Sequence, residues 1–144
     1  MCKEDTTLAG KNILFVDDRP MSMRNFIDKV KYMKATVVVR RTIQGARALV
    51  EGNEKIDFVV IDLLLDEPDG LFDNYREMVE QTGTNQGQLL GLYLKCKDIP
   101  YLYLSVYPSW FQENEHEQDV PCLTKSSREL DDFIESLCKQ INTT

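Results

Sequence analysis

Residues 58–70 read FVVIDLLLDEPDG, and one carboxylate, Asp62, stands inside the apolar run. An unpaired buried charge costs several kcal/mol, so such a residue needs a cap, solvent or a cation. The run itself has no polar alternation. With Ile56 and Asp57 ahead of it, it reads as a strand buried on both faces.

Outward from this strand, apolar runs and helical stripes alternate. Ile13–Val16 is a short apolar run that ends in Asp17 and Asp18. Met23, Phe26, Ile27, Val30 and Met33 then keep helical spacing, with Pro20 suited to a first turn. Ala35–Thr42 is β-branched and strand-like. Ile43, Ala46, Leu49 and Val50 form a second helical stripe, stopped by Gly52-Asn53.

Beyond Asp62, GLFDNYREMVEQ predicts a helix with Leu71, Tyr75, Met78 and Val79 on one face. TGTNQGQ reads as a loop and LLGLYLKCKD as a second helical piece. IPYLYLS is a strand and VPCLT a fifth one. Between them, VYPSWFQENEHEQD is polar, with Trp110 and Phe111 embedded and no sustained apolar stripe. Leu130, Phe133, Ile134, Leu137 and Ile141 mark a last helix, which Ser126 or Ser127 would cap. The order predicts an α/β fold: a doubly wound, five-stranded parallel sheet with helices on both faces.

The composition narrows the function. The chain has 144 residues and reads as a single domain. Its 17 basic and 24 acidic residues give a formal charge of −7, which argues against a nucleic-acid partner. No apolar run approaches a membrane span, and the N-terminus has no signal-peptide core, so a cytoplasmic protein without a membrane partner is expected. Cys2, Cys96, Cys122 and Cys138 are widely spaced and read as neither zinc ligands nor a disulfide framework. Cys96, Cys122 and Cys138 are read as small apolar residues, and Cys2 as an exposed thiol. His116, the one histidine, sits in the acidic stretch NEHEQ and reads as a solvated loop residue.

In a parallel sheet the carboxyl ends of the strands share one edge. Here they would bring Asp17 and Asp18, Asp62, Ser105, and Thr124 with Lys125 together. Singly, each has an ordinary explanation as a cap, a turn residue or a solvated charge. Together they form a set with a defined chemistry. Clustered carboxylates need a cation, and Mg²⁺ takes oxygen ligands of this kind. Asp62 would then be a nucleophile towards phosphorus, with Lys125 and the Ser105 hydroxyl holding phosphoryl oxygens.

These motifs resemble the receiver domain of two-component response regulators. ILFVDDRP is similar to the first strand and acidic pair, FVVIDLLL to the phosphoacceptor strand, IPYLYLS to the strand ending in Ser or Thr, and CLTK to the strand ending in lysine. The resemblance covers Lys11 to about Asn142. It implies the flavodoxin-like receiver fold with a lengthened crossover between strands 3 and 4. It implies that Asp62, helped by Ser105 and Lys125, accepts phosphate from a histidine kinase or phosphotransfer protein. It also implies Mg²⁺ as cofactor, held by Asp17, Asp18, Asp62 and the backbone carbonyl of Leu64. The output would be a switched interaction with a separate effector protein, and a homodimer is left open. Such a domain is no enzyme beyond its own phosphorylation and dephosphorylation. With no room for an output domain in this length, it acts alone or is excised from a longer chain.

Several positions depart from the family pattern. Ser126 follows the lysine where proline is usual, and Cys122 stands where the switch aromatic would be. Val106 is bulkier than the usual residue after Ser105. Asp66 takes the place of a proline. Leu64 and Tyr107 lie two residues after Asp62 and Ser105, where apolar bulk would slow hydrolysis of a phosphoaspartate. Cys122, Ser126, Val106 and the altered loop support an alternative, a degenerate receiver working as a phosphorylation-independent interaction module, which the complete acid-Ser-Lys set opposes. A third class, an aspartyl-phosphate phosphohydrolase, lacks its usual Asp-x-Asp after the first strand, since the residues are Asp17-Asp18-Arg19.

Overall fold

The central strands are buried along almost their whole length, because successive side chains go to opposite faces of the sheet and both faces are covered. In a computed structural model, which describes residues 8–63, 65 and 86–142, the strands are β1 (Asn12–Val16), β2 (Thr36–Arg40), β3 (Phe58–Ile61), β4 (Tyr101–Ser105) and β5 (Cys122–Thr124). All neighbours pair in parallel, in the order β2-β1-β3-β4-β5. Four helices are described: α1 (Arg24–Tyr32), α2 (Ile43–Val50), α3 (Gln86–Cys96) and α4 (Leu130–Asn142).

One face carries Ile13, Phe15, Phe58, Val60, Leu102 and Leu104 and is covered by Phe26 and Val30 of α1 and by Phe133 and Leu137 of α4. Phe133 meets the Phe26 ring edge-on at 5.1 Å between centroids. The other face carries Leu14, Val16, Val59, Ile61, Tyr101 and Tyr103 under Ile43 and Ala46 of α2 and Leu90 and Leu94 of α3. Both faces are thus covered, as the continuous apolar runs require.

The strands are shorter than the sequence suggests. β2 spans Thr36–Arg40 rather than 35–42, and β3 ends at Ile61. Asp62 therefore lies one residue past the strand, not within it. The last residues of TGTNQGQ are already helical, since α3 begins at Gln86. Cys96 is exposed at the end of α3, which corrects its reading as an apolar packing residue; Cys138 is buried and Cys122 partly so.

The crossover from Ile61 to Tyr101 is long, as expected, and returns through α3. The helix expected over Leu71, Tyr75, Met78 and Val79 lies outside the described residues. The connection from β4 to β5 has no α-helix. It makes a single 3₁₀ turn at Pro108–Trp110 and then runs as coil to β5. QENEHEQD offers no apolar face with which a helix could cover the sheet.

Candidate functional site

The sheet ladder continues one residue past several strands, and this sets the site. Asp17 N–H donates to the Arg40 carbonyl at 3.1 Å, and Asp62 N–H to the Val16 carbonyl at 2.9 Å. Lys125 N–H donates to the Ser105 carbonyl at 2.9 Å. Asp17, Asp62 and Lys125 are therefore held by backbone pairing at the carboxyl edge of the sheet.

Asp17, Asp18 and Asp62 each offer an oxygen, and these atoms all lie within 4.8 Å of one another. Lys125 reaches across the edge. Its Nζ is 2.7 Å from Asp17 Oδ2 and 3.3 Å from Asp62 Oδ2. Together with Arg19, Ser22, Ser105, Val106 and Tyr107, these residues line a cleft of about 290 Å³.

The electrostatics separate the two neighbouring acids. Burial raises the Asp17 carboxyl, but hydrogen bonds from Lys125, Ser22 and the Arg19 N–H outweigh it and hold the group below its ordinary range. Asp18 is pushed up, first by burial and then by the charge of Asp17 beside it. Three adjacent carboxylates with one ammonium leave net negative charge. The donor set is all oxygen, the kind a hard divalent cation such as Mg²⁺ takes. The residues present thus fit such an ion.

The expected set converges with one exception. Asp17, Asp18, Asp62, Ser105 and Lys125 all border the same cleft, while Leu64, the expected carbonyl ligand, lies outside the described residues. Ser105 is buried, and its Oγ accepts from the Tyr107 N–H at 3.0 Å. That bond fixes the first turn after β4. Val106 and Tyr107 are 60% and 54% exposed at the rim.

Two features escaped the sequence reading. The first is Ser22, in the 3₁₀ turn Pro20–Met23, whose Oγ contacts both Asp17 and Lys125. Its position in the helical-looking stretch RPMSM gives no hint of this. The second is Glu117. Unlike its exposed neighbour His116, it is 1% exposed. One carboxylate oxygen accepts from both the Tyr101 and Tyr103 hydroxyls, and the other from the Gln88 and Asn114 amides. Burial and the Glu117 charge push both tyrosine hydroxyls far above their ordinary pKa. Gln88 also exchanges two bonds with the Gln112 backbone, at 2.8 Å each. This network ties the coil after β4 to α3 in place of helical packing. It also occupies Tyr101 and Tyr103, so neither faces the carboxylate cleft.

The start of α3 joins the two regions. Gly87 N–H donates to the Leu63 carbonyl at 2.9 Å, and a Cβ there would collide with the Asp62 carbonyl. A Cβ at Gly91 would strike the Tyr103 hydroxyl and the Glu117 carboxylate. One helix face without side chains thus lets α3 sit directly on the end of β3 and on β4.

No protein-family model matches the chain, and no curated protein matches it by sequence. Solved structures do. The N-terminal domain of a response regulator/sensory box/GGDEF 3-domain protein from Carboxydothermus hydrogenoformans has a TM-score of 0.63 at 18% identity, covering 92% of this chain and 98% of that one. The response regulator TrrA from Thermotoga maritima, in complex with Mg²⁺-BeF, has a TM-score of 0.59 at 18% identity, covering 91% and 98%. The BeF₃-activated form of SdrG from Pseudomonas melonis Fr1 has a TM-score of 0.60 at 21% identity, covering 90% and 98%. At these identities the likeness is one of fold. The fold is that of the response regulator receiver domains, a five-stranded CheY-like α/β sandwich with an acidic triad at its carboxyl edge.

Proposed function

We propose that the chain, residues 1–144, is a single receiver domain that accepts a phosphoryl group on Asp62. The observation that carries this is the meeting of Asp17, Asp18 and Asp62 with the Lys125 ammonium in one cleft at the carboxyl edge of the sheet. An Asp62 oxygen attacks the phosphorus of a phosphohistidine. The P–N bond breaks, its electron pair stays on the imidazole, and an acyl phosphate forms on Asp62. Lys125 moves with the phosphoryl oxygens, and the Ser105 hydroxyl turns from the Tyr107 N–H to donate to one of them. Mg²⁺, held by Asp17, Asp18, Asp62 and the Leu64 carbonyl, would neutralise charge on those oxygens.

The donor is a histidine kinase or a phosphotransfer protein, and the reader of the phosphorylated state is a separate effector protein. The domain turns over no other substrate. No described helix is long and apolar enough to cross a membrane, and the acidic charge favours protein partners over nucleic acid, consistent with a cytoplasmic site of action. A second reading, a phosphorylation-independent interaction module, is favoured by the helix-free β4–β5 connection and by Cys122 in the place of an aromatic switch.

The test is incubation with Mg²⁺ and acetyl phosphate, followed by intact-mass measurement. A gain of one phosphoryl mass that Asp62→Asn abolishes supports the phosphoacceptor. No gain, together with an unchanged amide spectrum on adding Mg²⁺ and beryllofluoride, would leave the interaction module as the better reading.

A further inference from the structure

The Lys125 ammonium donates hydrogen bonds to two oxygens and lies at ion-pair distance from a third. Asp17 Oδ2 is 2.7 Å away, Ser22 Oγ 2.8 Å, and Asp62 Oδ2 3.3 Å. The two shorter contacts both lie on the β1 side of the cleft. Ser22 also donates to Asp17 Oδ2 at 2.7 Å, with the Arg19 carbonyl as its alternative acceptor at 2.8 Å. Serine, carboxylate and ammonium thus close a triangle on one oxygen of Asp17. In that triangle the ammonium lies against carboxylates that a divalent cation would need.

We propose that Ser22 is a positioning residue which holds Lys125 on Asp17 and so sets the competition between this ammonium and a divalent cation for the acidic cluster. The inference rests on the metal-binding part of the receiver reading. Two effects act in the same direction. The Ser22 oxygen stabilises the lysine in its docked place. The Ser22 proton occupies Asp17 Oδ2 and withdraws charge from it. Both favour the ion-free site. Removing the hydroxyl leaves one lysine N–H without its protein acceptor and takes away one of the two donors on Asp17 Oδ2, so the ion enters more easily.

The experiment is calorimetric titration of the full chain with MgCl₂, for the native protein, Ser22→Ala and Ser22→Thr. Ser22→Ala should bind Mg²⁺ about three- to tenfold more tightly, a fraction of the value of a hydrogen bond to a charged group. Ser22→Thr keeps the hydroxyl and should bind as the native protein does. A merely structural serine would leave the affinity unchanged in both. Affinity that is equal or weaker in Ser22→Ala overturns the proposal, as does a threonine variant that behaves like alanine. Beryllofluoride, added after Mg²⁺, separates the two readings. A normal Ser22 effect with no beryllofluoride response sinks the phosphoacceptor alone. A normal beryllofluoride response with no Ser22 effect sinks this inference alone. A native protein that binds no Mg²⁺ sinks both.

Discussion

The Lys125 ammonium lies 2.7 Å from Asp17 Oδ2, in a pair whose side chains are 7% and 0% exposed. The same ammonium lies 3.3 Å from Asp62 Oδ2, the compensation that the run around Asp62 demanded, and it comes from the far edge of the sheet. Breaking a buried pair by removing one partner typically costs about 3 kcal/mol or more. Lys125→Met should therefore destabilise the ion-free protein by about 3 kcal/mol in urea unfolding. Added Mg²⁺ should recover part of the loss, because it supplies the missing positive charge. A variant as stable as the native protein without Mg²⁺ would contradict this account.

Acid should remove the same interaction. The Asp17 carboxyl is held below its ordinary value of 3.8, so the folded state binds its proton less readily than the unfolded state. Its stabilising contribution is present above that ordinary value and is lost as pH falls through the lowered folded one. Asp18 is raised and has the opposite sign: its protonation on acidification favours the fold. In chelator-treated protein, Asp17→Asn should flatten the loss of stability in acid. Asp18→Asn should raise Tm near neutral pH by about 2–4 °C, by relieving the repulsion. A fall in Tm for Asp18→Asn would show that the two carboxylates do not oppose each other.

Much of the sheet was legible because apolar runs and helical stripes are strong signals over short windows. Ile13–Val16 and the run Ile56–Leu65 read as buried strands from their apolar pattern, although of the second only Phe58–Ile61 is strand among the described residues. The strand-end rule by itself puts Asp17, Asp62, Ser105 and Lys125 at one edge. Glu117 was not legible. NEHEQ has the composition of a solvated loop, and its burial depends on two hydroxyls from β4 and an amide from α3. These partners are 14 and 16 residues away for the tyrosines and 29 for Gln88. Ser22 failed for a related reason: a serine in a 3₁₀ turn carries no mark of an ammonium arriving from residue 125. Polar contacts of long sequence separation leave no periodicity to read.

Glu117 makes a sharp stability prediction. Glu117→Leu removes the acceptor for four donors at once, and each buried donor left unpaired costs about 1–3 kcal/mol. Relaxation and water entry limit the total, so a loss of about 3–4 kcal/mol is expected. Glu117→Gln keeps an oxygen for the amides and should cost about 1 kcal/mol. Urea unfolding of the two variants, read by tyrosine fluorescence, gives the comparison. Equal losses would mean that shape, not hydrogen bonding, holds the coil after β4.

The glycine face of α3 should be equally intolerant. Alanine at Gly91 meets the Tyr103 hydroxyl and the Glu117 carboxylate, and neither can retreat without breaking the network. Overpacking of this kind costs about 1–3 kcal/mol, although alanine is the better helix former by about 1 kcal/mol. Gly91→Ala should thus destabilise despite its propensity. Pairing it with Tyr103→Phe, which deletes the colliding hydroxyl, should restore part of the loss. A double variant no more stable than Gly91→Ala would place the clash elsewhere.

The last prediction concerns the lifetime of the phosphorylated state, given Asp62 as its site. Tyr107 lies at the rim of the carboxylate cleft, two residues after Ser105, with its backbone N–H on the Ser105 hydroxyl. Leu64 lies two residues after Asp62. Hydrolysis of an aspartyl phosphate needs a water aligned opposite the carboxylate oxygen, and apolar bulk beside the phosphorus excludes that water. Neither Leu64 nor Tyr107 supplies a carboxylate or amide to orient it. Phosphorylated protein should therefore decay slowly, and Leu64→Asn with Tyr107→Glu should shorten the half-life by about tenfold, within the range of a positioned polar group. The decay is followed by phosphoprotein gel after removal of acetyl phosphate, with Mg²⁺ held constant. A native half-life no longer than that of the double variant would show that access of water at this edge is controlled by something other than these two side chains.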